Sequence, residues 1–378
     1  MKKALAIFMI FALVASVAFA EITFGAWGRG LFVPVSNTGA SDAESVAENK
    51  ASWGGAPRIG FTIAGNSDNV GFLADVFTDG GEISAGDQQL IWVKPMDMLK
   101  ISLGRVQVDA LRGNAAYGSW NWDRAYGDGD YGDDFTFSRM STGAYDSATF
   151  KNEQGVVFEV APMDALWVGL ALRDVNNTAP EWAGNPKNSK ANTVNLLAKM
   201  QFALGYTIDG IGQFKAQIIR NPYNFDAKGA ADKNNDTVEI AFNLTMVENL
   251  FVEAGFRMWT ESKENKTKDI SLYAKYGMDA LTVHFSTRAT LDTADVEGKE
   301  ALGLYVGAGA DYDLGNGIGV SGDVRYTSDV MLAAKDAKIT VFAGVTKGFS
   351  NGLIGAGVEI LNQKDTGYSI PVRFEYWF

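Results

Sequence analysis

The last eleven residues, Tyr-Ser-Ile-Pro-Val-Arg-Phe-Glu-Tyr-Trp-Phe from Tyr368 to Phe378, constrain the fold more than any other stretch of the chain. Tyr368, Ile370, Val372, Phe374, Tyr376 and Phe378 fall on one face of a period-two pattern, and Ser369, Pro371, Arg373, Glu375 and Trp377 fall on the other. One face is aromatic and aliphatic; the other is mainly polar. A strand in a soluble domain averages about five or six residues, whereas one that crosses a bilayer at a tilt needs about 9–11, with aromatics where it meets the headgroups. The length favours a membrane-crossing strand. Pro371 removes a ladder donor and predicts a local irregularity.

The same alternation repeats along the chain. It predicts strands over 22–33, 58–64, 70–78, 88–94, 99–107, 155–161, 166–174, 192–203, 211–221, 237–246, 250–260, 268–277, 281–291, 300–312, 317–327, 337–347 and 352–362, with 34–56 as a polar loop. With the last strand the total is about eighteen, or sixteen if two short ones fail. Pro95-Met96-Asp97, Pro162-Met163-Asp164 and Met278-Asp279 repeat a Met-Asp step into a Leu-led strand, so short turns alternate with longer polar loops. Charges collect opposite the aliphatic face: Val252, Ala254 and Phe256 oppose Glu253 and Arg257, Val283 and Phe285 oppose His284 and Arg288, and Val320 and Val324 oppose Asp323 and Arg325. A Lys or Arg facing lipid at mid-bilayer costs about 2–4 kcal/mol, which accounts for the segregation. Arg105 and Gln107 follow Leu99, Ile101 and Leu103 on one face, so either that strand leaves the bilayer there or a bulge shifts it. A soluble β-sandwich also alternates, but its turns come about every 8–12 residues.

A chain of such hairpins that ends in an aromatic strand with a terminal Phe resembles the bacterial outer-membrane β-barrel porins. The fold so implied is an all-β, transmembrane, antiparallel up-and-down barrel with short periplasmic turns and long outer loops. By that resemblance Phe378 is read by the barrel-assembly machinery, and the irregularity at Pro371 falls at the closing seam. The amino-terminal segment agrees with export to the outer membrane of a diderm bacterium. Lys2 and Lys3 precede twelve apolar residues from Ala4 to Ala15 and an Ala18-Phe19-Ala20 site, the pattern of a signal peptide cleaved near Ala20. Residues 21–378 are then one barrel domain. Without Lys2 and Lys3, 31 basic residues face 45 acidic ones, a net charge of −14 that argues against nucleic acid as a partner. The chain has no Cys and one His, which removes thiolate zinc sites, thiol nucleophiles and most acid–base constellations. No metal, cofactor or catalytic residue is expected.

Residues 108–152 form the longest stretch without strand periodicity and the third outer loop in this count. Tyr117, Trp120, Trp122, Tyr126, Tyr131, Phe135 and Phe137 give it too much aromatic surface for a solvated tail. Porins have a long third loop that folds into the barrel and narrows the pore, and the resemblance here is one of topology and position. Asp123, Asp128, Asp130, Asp133 and Asp134 crowd among Gly127, Gly129 and Gly132 in the same stretch. Asp128-x-Asp130 begins like a calcium loop, but Gly132 and Arg139 occupy positions where that motif needs ligands. A solvated acidic loop or pore-lining charge fits better. Gly307-Ala308-Gly309 lacks the βαβ setting of a dinucleotide loop, and His284 has no Ser or Cys partner at a recognisable spacing.

The lumen wall is expected to carry Arg58, Lys215, Glu253, Arg257, Arg288, Asp323, Arg325 and Arg373, with Arg173, Lys199, Lys275, Asp75, Glu159, Glu239, Asp311, Glu359 and Glu375. Such a mixed wall suits a channel for ions and small hydrophilic solutes, set in outer-membrane lipid and assembled as a homotrimer. The acidic loop would make it prefer cations. Two other readings stand beside this one: a sugar-selective channel using the loop aromatics, and a structural or adhesive surface protein with no open pore.

Overall fold

The computed structural model describes residues 21–37, 46–50, 57–79, 82–106, 155–173, 200–220, 236–260, 268–291, 302–328, 337–363 and 365–378. In chain order the strands are β1 (Glu21–Asn37), β2 (Val46–Lys50), β3 (Arg58–Asn66), β4 (Val70–Asp79), β5 (Glu82–Met96), β6 (Leu99–Arg105), β7 (Gly155–Met163), β8 (Leu166–Arg173), β9 (Gln201–Ile208) and β10 (Gly212–Ile219). They continue as β11 (Asp236–Leu244), β12 (Leu250–Thr260), β13 (Lys268–Met278), β14 (Leu281–Leu291), β15 (Leu302–Gly315), β16 (Ile318–Ser328), β17 (Lys338–Phe349), β18 (Gly352–Asn362), β19 (Thr366–Ser369) and β20 (Val372–Trp377).

From β3 to β19 each strand pairs antiparallel with the next in sequence, and β1 pairs with β20, which closes the sheet on itself. The lower half of β1 pairs with β3 and its upper half with β2, while β18 takes β19 and β20 in one unbroken register. Counting β2 with β3 and β19 with β20, the molecule is a closed barrel of 18 strands. The eight short turns lie at residues 67–69, 97–98, 164–165, 209–211, 245–249, 279–280, 316–317 and 350–351. Glu21 pairs with Asn66 and Phe378 bonds Ala26, so both strand ends of the seam share that rim.

Prolines mark where the ladder slips. The registers of β5–β6 and β7–β8 shift at Pro95 and Pro162, whose missing N–H groups cannot complete the hairpin next to each Met-Asp turn. At the seam the slip lies in β1 between Val33 and Ser36, around Pro34, opposite the Ile370–Pro371 break between β19 and β20. Ile370 N–H still donates to Val35 O at 3.0 Å, and Pro371 O accepts from Gly357 N–H at 3.0 Å. The irregularity expected at Pro371 is therefore shared with the partner strand.

Four predicted boundaries need correction. The strand expected at 192–203 runs over 201–208 instead, with its turn at Asp209-Gly210, where Gly210 has φ 68°. An Asp-Gly pair is a strong hairpin signal that outweighs the apolar run before it. The polar loop expected at 34–56 contains the upper part of β1 and all of β2. β5 begins at Glu82, so only residues 80–81 join it to β4, and that outer connection is short. These segments escaped the pattern because barrel strands carry polar residues on both faces once they rise past the bilayer. Finally, β6 ends at Arg105, after Gly104 at φ 127°, so the expected alternation through Gln107 stops there. A Cβ at Gly104 would lie 2.1 Å from Gln89 O, which makes glycine obligatory at that exit.

The outer face is apolar: Phe24, Phe61, Ile91, Leu103, Ile240, Ile270, Val324, Val358 and Phe374 all expose their side chains. Between them on the same strands sit buried polar groups, so the burial pattern is inverted relative to a soluble barrel.

Candidate functional site: the inner wall

Period two places alternate residues inside the ring, and the register then aligns them into rows across the strands. On β9 to β12 one row forms a continuous polar ladder. Gln201 Nε2 donates to Gln217 Oε1 at 2.9 Å, Gln217 Nε2 donates to Glu239 Oε2, and Arg257 Nε donates to Glu239 Oε1. Glu239 is thus held by two donors from two neighbouring strands.

On the next three strands, Tyr273 of β13, His284 of β14 and Asp311 of β15 are linked. Tyr273 Oη lies 2.8 Å from His284 Nδ1, and His284 Nε2 lies 2.6 Å from Asp311 Oδ2. The contacts run on the diagonal, since His284 is in register with Lys275 and Gly309. Both ring nitrogens are engaged, so the imidazole serves as a cross-brace of the wall and has no free nitrogen for a substrate proton.

Charged groups continue around the ring. The Arg288 guanidinium lies 4.1 Å from the Tyr305 ring centroid, and Arg325 donates to both Asp323 carboxylate oxygens at 3.1 and 3.2 Å. Ser369 Oγ donates to Glu359 at 3.1 Å, and Glu375 accepts from Arg373 at 2.6 Å and from Arg29 at 2.7 Å. Gly309 gives Asp323 its room, because a Cβ there would come within 2.9 Å of the Asp323 Cβ.

Of the wall residues expected from sequence, Lys215, Glu253, Arg288, Asp323, Arg325 and Arg373 are buried on this inner face, and Arg257 is half-buried against Glu239. Arg58 is half-buried, with its guanidinium 5.2 Å from the Phe77 ring. Lys199 lies outside the described residues, as do Asp123, Asp128, Asp130, Asp133, Asp134, Trp120, Trp122 and Tyr126. Phe378 sits at the seam with its side chain 76% exposed on the outer face; its N–H donates to Ala26 O at 2.7 Å.

The wall is not polar all round. Leu90, Val106, Val157, Ala171 and Ala203 form a buried inner cluster on β5 to β9, with Leu73, Trp92 and Trp167 packed against it. Sequence reasoning assigned this face to charge and missed the cluster. Its signal was present in β8, where Trp167, Gly169 and Ala171 occupy the inward positions of a strand that is apolar on both faces. Among the described residues no group of three or more His, Cys, Asp or Glu is placed to hold a metal ion.

Among solved structures, a loop-deletion mutant of OmpT, an outer membrane protein of Vibrio cholerae, matches with a TM-score of 0.50 and 11% identity, covering 96% of this chain and 100% of that one. The fold is that of a transmembrane β-barrel. Two mutants of the Rh. blastica porin give TM-scores of 0.47 and 0.48 at 17% and 18% identity, each covering 94% of this chain and 100% of its own. No family model and no curated protein matches the chain. At these identities the likeness to the barrels is one of fold.

Proposed function

We propose that the barrel is a porin-like channel for passive diffusion of ions and small hydrophilic solutes across an outer membrane, and that it prefers cations. The observation that carries the reading is the closed 18-strand ring with a charged, hydrogen-bonded inner face and an apolar outer one. Side chains fill the interior of a barrel of about eight strands, whereas about 16–18 leave an aqueous channel. No enzymatic step is assigned to this wall.

Cation preference is drawn from the balance of charge. Most described wall charges face an opposite charge one strand or two residues away, as in Arg257–Glu239, Arg325–Asp323 and Arg29–Glu375. Residues 121–137 carry five Asp against Arg124. We place that segment in the lumen. The inner apolar cluster on β5 to β9 supports this: it flanks β6 and β7, between which the aromatic residues 108–152 lie in sequence, and an apolar patch in an aqueous lumen calls for cover. Confined carboxylates favour cations, more so at low salt.

The test is the reversal potential across a salt gradient, before and after replacing Asp128, Asp130, Asp133 and Asp134 by Asn. The expected outcome is a cation-selective potential that moves towards zero in the variant. A potential that does not move removes the acidic segment from the pore.

A further inference from the structure

On the turn side of the inner apolar cluster, two indoles lie against the wall with a charged pair between them. Trp92 of β5 and Trp167 of β8 are half-buried, and each is nearer its own short turn than the cluster residue on the same strand, Leu90 or Ala171. Glycines set the orientation of both rings. A Cβ on Gly71, which is in register with Trp92, would lie 2.6 Å from that ring and from Gly65 O, and one on Gly169 would lie 2.4 Å from the Trp167 ring. Gly205, in register with Trp167, would bring a Cβ to 3.9 Å from the same ring. Neither Gly71 nor Gly169 has a positive φ, so what these glycines supply is room. Each indole rests on bare backbone, with one face on the wall and the other towards the lumen.

Between the rings, Lys100 of β6 and Glu159 of β7 are in register and paired at 3.2 Å, and Glu159 is in register with Gly169, which the Trp167 ring covers. Lys94 adds a second ammonium. Its Nζ lies 5.4 Å from the Trp92 ring centroid and Lys100 Nζ lies 6.0 Å from it, at the outer limit of a cation–π contact and too far to be stacked against the ring. The lumen face of Trp92 is thus flanked by two cations without being filled by either. A strand spacing of about 4.8 Å puts β5 and β8 about 14 Å apart, more than one small ring spans but within the reach of a short chain of sugar rings. Flat indole faces stack on the C–H faces of pyranoses, and the Lys100–Glu159 pair offers hydroxyl groups a donor and an acceptor. Two ammoniums against one carboxylate leave a positive excess beside Trp92 for an acid group. We propose that this wall segment is a binding subsite for a short acidic oligosaccharide, an oligouronide, entered from the short-turn mouth, with one ring on Trp92, its carboxylate at Lys94 and Lys100, and another ring on Trp167. It rests on the channel reading for access to the lumen and does not involve the acidic segment of the third loop.

Calorimetric titration of the refolded full barrel in detergent with trigalacturonate, and with maltotriose as a neutral trisaccharide, tests the subsite. One trigalacturonate should bind per barrel, about tenfold more tightly than maltotriose. Trp92→Ala and Trp167→Ala should each weaken that binding about tenfold, and Lys94→Gln about fivefold with maltotriose unchanged. No binding, equal affinity for the two trisaccharides, or unchanged affinity in either Trp variant overturns the proposal. So does monomeric galacturonate binding as tightly as the trimer, because one ring then suffices. Lys94 is exposed at the strand end beside Pro95, so if the Trp variants do not refold, Lys94→Gln decides alone: an unchanged preference for the acidic ligand overturns the assignment. The titration needs no current, so binding by a barrel that gives no conductance steps refutes the channel reading and upholds the subsite.

Discussion

Gly357 shows what one absent methyl group does to the wall. A Cβ there would lie 2.5 Å from the ring of Phe342, which is 2% exposed and belongs to the paired strand β17. Gly357→Ala should therefore destabilise the barrel by about 1–3 kcal/mol through overpacking, measured by urea unfolding in lipid vesicles. Adding Phe342→Leu should recover part of the loss. An unchanged midpoint in the single variant would mean that the ring moves aside at no cost. The Glu239 ladder gives a second test at this scale. Arg257→Met removes a charge-assisted hydrogen bond worth about 1.5–3 kcal/mol, and the loss should shrink when Glu239→Gln is already present. Additive losses would show that the two side chains do not interact. The wall charges were legible in the sequence because period two assigns each to a face. The Tyr273–His284–Asp311 chain was not, because its partners meet on a diagonal set by the register of three strands, and alternation alone does not fix a register.

Turns decide the register of the hairpins. Asn316 and Gly317 have φ values of 54° and 73°, and Asn249 and Asp279 have 61° and 48°, so each of these short turns uses left-handed residues whose side chains tolerate that region. Asn316→Val should cost about 1–2 kcal/mol and Asn316→Gly close to nothing, compared by unfolding of the two variants. Equal effects would place the turn's preference elsewhere. Strands from β11 to β18 were legible to within three residues at each end, since each combines long alternation with a turn of Asp, Asn or Gly. β2 was hidden because Val-Ala-Glu-Asn-Lys has no apolar face, and β9 was misplaced by reading its apolar approach in place of Asp209-Gly210. The acidic cluster of the third loop falls outside the described residues, and no alternation in that stretch could place it.

For the molecule as a whole, closure couples the two ends of the chain. The Phe378 side chain is largely outside the packing, and its backbone adds hydrogen bonds to Ala26 at 2.7 and 3.3 Å. Deleting Phe378 should cost the finished barrel about 1–3 kcal/mol for two backbone bonds. Recognition by the assembly machinery should suffer more, so that insertion in cells falls while refolding in detergent persists. Equal insertion in cells would remove Phe378 from that role. We propose that the ring of β1 to β20 encloses water between charged walls. Single-channel recording of the refolded protein in a planar bilayer tests this directly: it predicts discrete conductance steps that grow with bulk salt conductivity. Barrels that insert and show heat-modifiable mobility yet give no steps would contradict it.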